Sequence, residues 1–154
     1  MDQASHPVNC ILDGVSFQLP APEAFGWLKK YGKVFKVWDQ QPSGNLCFGV
    51  EGPWGKLFVK YAGAHTLHFE GNPAEAAYTL QQAMPLYEVR HPALVNLLAH
   101  GPVNNGYAAV FAWQEGFILR DGPGGENKAR LQALPLWQIL SMLDGIIDLH
   151  VLLA

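Results

Sequence analysis

KVFKVWDQQPSGNLCFGVEGPWGKLFVKY, residues 33–61, decides the fold. Its apolar residues fall into three runs, Lys33 to Trp38, Asn45 to Glu51 and Lys56 to Tyr61. Val, Phe, Trp and Tyr recur in them, and these suit a pleated, half-buried surface. Gln41-Pro42-Ser43-Gly44 and Gly52-Pro53-Trp54-Gly55 separate the runs, and both joints are rich in turn formers. Joints this short favour antiparallel neighbours, so the stretch reads as a three-stranded meander.

Downstream, Asn72-Pro73-Ala74-Glu75 is a helix start. Asn72 can accept from a first-turn amide, Pro73 suits the first helical position, and Glu75 stands where a capping box places its acid. Ala77, Leu80, Met84 and Tyr87 follow at helical spacing as one buried stripe. Pro85 lacks the amide that would bond to Gln81, so the helix kinks or ends there. Two further strands, Leu97 to Val103 and Tyr107 to Trp113, flank Asn104-Asn105-Gly106, a hairpin signal. Arg120 to Glu126 reads as a glycine-rich loop, and from Pro135 the chain reads as one long helix. Upstream, Val8 to Leu12 and Val15 to Leu19 flank Asp13-Gly14, a second hairpin, and Leu19-Pro20-Ala21-Pro22 reads as an extended linker.

The expected fold class is therefore α+β: a five-stranded antiparallel sheet with one packed helix, followed by a long C-terminal helix. The expected organisation is an N-terminal extension at 1–24 (hairpin 8–19), a sheet domain at 25–116, and a linker with the C-terminal helix at 117–154 (helix 135–153).

Apolar residues make up 49% of the 154 and charged residues 15%, a balance that fits a folded chain. The net charge of −3 carries no basic stripe, which argues against nucleic-acid binding. Cys10 and Cys47 are too few for a disulfide scaffold and read as free thiols. His65 and His68 lie three apart, and no Cys, Asp or Glu completes a zinc set with them. No serine stands in Gly-x-Ser-x-Gly. The first residues lack a basic and apolar leader, and Gln138, Asp144, Asp148 and His150 make the last apolar run a costly bilayer span. The expected location is cytoplasmic.

Four local patterns resemble the small lobe of protein kinases, over roughly residues 33–153. Leu57-Phe58-Val59-Lys60 is similar to the third-strand Val-Ala-Ile-Lys motif, whose lysine grips the α and β phosphates of ATP. Gly44, sixteen residues before Lys60, resembles the last glycine of the glycine-rich loop, with Leu46 just behind it. His91-Pro92-Ala93-Leu94-Val95-Asn96-Leu97-Leu98 is similar to the run that enters the fourth kinase strand. Val110-Phe111-Ala112-Trp113-Gln114 looks like the fifth strand and hinge, with Phe111 as gatekeeper and backbone groups of Ala112 and Gln114 facing the adenine edge. The resemblance thus implies ATP as ligand, held by Gly44, Leu46, Lys60, Phe111, Ala112 and Gln114. Within it, the chain looks like the compact bacterial serine/threonine-kinase-like proteins.

The pattern is incomplete. Asp39 and Gln41 fall near the places of the first two loop glycines, and Phe58 stands where kinases keep a small alanine above the adenine. Gln81-Gln82 occupies the place of the helix glutamate that pairs with the lysine. The His-Arg-Asp and Asp-Phe-Gly motifs are absent from the chain, so it lacks a catalytic base and strong magnesium ligands and is expected to be inactive alone. Leu136, Ile139, Leu140, Leu143, Ile146, Ile147 and the apolar residues of 149–153 cover most of the last helix, which implies a protein partner or self-association. The alternative to a nucleotide-binding lobe is a pseudokinase-like interaction module that no longer holds ATP.

Overall fold

Antiparallel pairing organises most of residues 33–112. The computed structural model describes residues 7–116 and 126–154. In chain order the elements are β1 (Val8–Leu12), β2 (Val15–Leu19), a short 3-10 turn (Gly26–Lys30), β3 (Lys33–Trp38), β4 (Asn45–Gly52), β5 (Gly55–Ala62), α1 (Pro73–Gln82), α2 (Met84–Glu88), β6 (Leu97–Val103), β7 (Gly106–Ala112), α3 (Glu126–Gln132) and α4 (Leu136–Leu153). Strands β3 to β7 form one antiparallel sheet in the order β3-β4-β5-β7-β6, and β1 and β2 form a separate hairpin. The fold is α+β, as the sequence implies.

Side chains alternate across a strand, so the register sorts the sheet into two faces. Leu46, Phe48 and Val50 of β4 share one face with Val59 and Tyr61 of β5 and with Ala108 and Val110 of β7. These residues form the main core with Phe17 and Leu19 of β2 and with Phe25 and Leu28. The segment expected as an extension at 1–24 therefore supplies one layer of that core. Two carboxylates fasten it to the edge strand: Asp13 Oδ2 accepts from the Val34 amide at 2.7 Å, and Asp39 Oδ2 accepts from the Gln18 amide at 3.0 Å. Amides left open on a sheet edge invite pairing with another chain, and the Asp13 bond occupies one of them.

The opposite face carries Cys47, Lys60, Ala109 and Phe111, and α1 packs there. Its buried residues Ala76, Ala77 and Leu80, with Met84 of α2, lie outside the main core. Asn72 Oδ1 caps α1 by accepting from the Ala74 amide at 2.9 Å. The helix breaks at Ala83, two residues before Pro85, as the missing amide requires.

The chain divides into two compact units. The first runs to Glu88 and includes Asn96–Trp113; the second comprises Val89–Val95 and Gln114–Ala154. In the second, His91 Nδ1 accepts from the Ala93 amide at 3.1 Å, a structural role for that histidine. Gly145 of α4 lies beside Ala93. No residue of α4 is buried, and Leu136, Trp137 and Val151 are each at least two-thirds exposed. By length and composition alone, α4 could also cross a membrane. Helix α3 was not expected; most of the glycine-rich loop at 120–126 lies outside the described residues.

Candidate functional site

Lys60 stands on the middle strand of the sheet, in a row of side chains that crosses four strands. Trp38 pairs with Cys47, Cys47 with Lys60, and Lys60 with Ala109. Cys47 and Ala109 are small, so Lys60 rises from a trough and is itself half-buried. Among the described residues no carboxylate pairs with its ammonium. Gln81 and Gln82, which take the place of a paired glutamate in the sequence pattern, are neutral and exposed. Burial pushes the Cys47 thiol up to about 11, and the nearby Lys60 charge works against that rise.

Asn45 belongs to the same face, one register step along, where it pairs with Ala62. Its amide nitrogen donates to Ser43 Oγ at 2.8 Å. Its carbonyl Oδ1 is buried and has no hydrogen-bond partner among the described residues. A buried acceptor left open costs roughly 1–3 kcal/mol, so this end of the trough favours a donor.

The other end is aromatic. Phe58 pairs with Phe111 across β5 and β7, and their ring centroids lie 6.4 Å apart. Tyr87 packs on Phe111 at 5.0 Å. Trp38 meets Phe58 at 5.7 Å and Trp113 at 6.3 Å, and Phe35 meets Trp113 at 5.2 Å. The pairing of β3 and β4 shifts between Val34 and Lys36, an irregularity that re-aims Phe35. Its ring lies where a Cβ on Gly49 would stand, so glycine there makes room for it. The ammonium of Lys36 lies 4.8 Å over Trp38, and that of Lys56 lies 5.5 Å over Phe35 and 5.9 Å over Trp113.

The residues expected to bind a nucleotide do not all converge. Lys60 and Phe111 share the trough face. Leu46 does not: it pairs with Tyr61, is fully buried and points into the main core. With a side-chain period of two, placing it one residue off sends it to the far side. Gly44 has φ +72 and lies under the Phe69 ring, 2.5 Å from where its Cβ would be. Packing and backbone conformation therefore account for that glycine. The Ala112 amide donates to the Asn96 carbonyl at 2.9 Å and is already spent on the chain. Gln114 is exposed and belongs to the second unit. Asp39 is engaged by the hairpin, where it takes the Gln18 amide. Missed in the sequence were the open Asn45 acceptor and the aromatic cluster. Trp38, Phe58, Phe111 and Trp113 alternate in phase with Lys60 once the register is known, and that phase was the available signal.

Comparisons with protein-family models, with curated proteins and with solved structures each find no match for this chain.

Proposed function

We propose that the first unit is a small-lobe-like, phosphate-binding domain related to ATP-dependent serine/threonine kinases, with Lys60 as the anion-binding group. The observation that carries this reading is a half-buried lysine without a carboxylate partner among the described residues, on a central strand and on the helix side of the sheet. A cation on a rigid strand can neutralise the charge of an anionic ligand without reorganising. The strand order β3-β4-β5-β7-β6, with α1 between β5 and β6 in the chain, supports the kinship. So does the agreement of Lys60 and Phe111 in face. Chemistry is not proposed for this chain alone, because it carries no catalytic base or metal-binding motif of the kinase kind. A cytoplasmic location belongs to the same reading.

The test is ligand-dependent stabilisation. A ligand that binds only the folded chain adds about 2.7 kcal/mol at a hundred-fold excess over its Kd. Tripolyphosphate and ATP are expected to raise the unfolding temperature of the unmodified chain, and Lys60→Met to abolish the rise while leaving the unliganded melting temperature within a few degrees. Equal shifts in both proteins would show that the anion binds elsewhere.

A second reading has its own observation. No residue of helix α4 is buried, and the helix is rich in Leu and Ile, as a partner-binding element would be. In this reading the domain is an interaction module or self-associates through α4, and no phosphate-dependent shift occurs in the unmodified chain.

A further inference from the structure

We propose that the aromatic end of the Lys60 trough is closed by the protein's own rings, so that the site takes a polyphosphate chain and gains nothing from an attached planar base. The inference rests on the reading of Lys60 as the anion-binding group. Neighbouring strands lie about 4.8 Å apart, which puts β3 and β5 roughly 9.6 Å apart. Yet the rings of Trp38 on β3 and Phe58 on β5 are 5.7 Å apart. The indole must therefore lean across β4, and Cys47 and Gly49 leave it room to do so.

Phe35 and Trp113 stand farther apart, with β4 and β5 between β3 and β7, just past whose end Trp113 lies. Their rings nonetheless meet at 5.2 Å. Trp38, at 6.3 Å from Trp113, completes a cluster spanning the sheet between β3 and β7. A planar ligand beside Lys60 needs an aromatic face to stack on. Here the rings already pack edge-on or tilted against one another, with the Lys36 ammonium over Trp38 and the Lys56 ammonium over Phe35 and Trp113. The charges attract anions, while the cluster of rings fills the room a stacked base would take.

Trp38 is the ring whose removal opens the cluster, because it touches both Phe58 and Trp113. The experiment is calorimetric titration of the full chain and of Trp38→Ala with tripolyphosphate, ATP and adenosine. The unmodified chain is expected to bind tripolyphosphate and ATP with affinities equal within about three-fold, and to show no adenosine binding. Trp38→Ala is expected to favour ATP over tripolyphosphate by about ten-fold or more, the order contributed by one base stacked on a ring. Trp113→Leu serves the same purpose if Trp38→Ala does not fold. ATP preferred ten-fold by the unmodified chain overturns the closed cluster and leaves the Lys60 reading standing. Equal affinities that persist in the folded variants also overturn it. No tripolyphosphate binding to any of the proteins overturns both.

Discussion

Phe48→Ala is expected to lower the unfolding free energy by about 3–5 kcal/mol, the range for removing a fully buried large ring from a core. Phe48 has no exposed surface. Its ring is 5.3 Å from Phe25 and 6.5 Å from both Phe17 and Trp27, so it joins the sheet to the hairpin and to the turn that follows. Truncation leaves a cavity lined by three rings from the hairpin and the turn that follows it, and such a lining collapses poorly. Domains of this kind have only about 5–15 kcal/mol of stability, so the loss is a large share of it. Urea denaturation measures it, with the midpoint falling and the slope unchanged. Trp54→Ala is the control: Trp54 is 85% exposed in the β4–β5 turn, and its loss should stay within about 0.5 kcal/mol. A Phe48→Ala loss below about 1 kcal/mol would contradict the hairpin as a layer of the core.

Gly63→Ala is expected to cost about 2–5 kcal/mol, from strain and overpacking together. Gly63 sits just after β5 at φ +138, a conformation that residues with a Cβ rarely adopt. The added Cβ would also fall 2.4 Å from the Gly106 Cα and 3.0 Å from the Gly106 nitrogen. Both atoms belong to the backbone at the start of β7, which cannot swing away as a side chain could. The two glycines let β5 and β7 stay paired to their last residues, Ala62 with Tyr107. Gly101→Ala provides the comparison, because nothing lies within 4 Å of the place its Cβ would take and its backbone is not left-handed. Thermal unfolding should separate the two variants by several degrees, since 1 kcal/mol moves the midpoint by about 2–4 °C at this chain length. Matching midpoints would mean that β5 and β7 do not approach each other as described.

Much of the sheet was legible because its signals are local. The joints at 41–44 and 52–55 enforce antiparallel pairing, and the Asp13-Gly14 pair fixes a hairpin; both are properties of a few adjacent residues. The α1 start was readable for the same reason, since Asn72 caps a helix two residues away. The role of residues 8–30 was not legible. Val34 donates to Asp13 and Phe25 packs on Tyr61 across long sequence separations, and nothing in either segment names the other. Helix α3 lacks a buried stripe, so hydrophobic periodicity gave no sign of it. In the site, Lys60 and Phe111 came from the kinase resemblance, and the register puts both on one face; Leu46 lies on the other because the phase of β4 depends on its pairing with β5. The aromatic cluster depends on the same pairing and on the irregularity at Phe35.

The central claim is that the Lys60 ammonium receives the anion, and residue-resolved lysine acylation tests it most directly. The full chain is treated with a limiting acylating reagent, with and without saturating tripolyphosphate, and modification of each lysine is read by peptide mass spectrometry. The account predicts strong protection of Lys60, while Lys29 and Lys30 on the far 3-10 turn react as before. Unchanged acylation of Lys60 under saturating tripolyphosphate would contradict it.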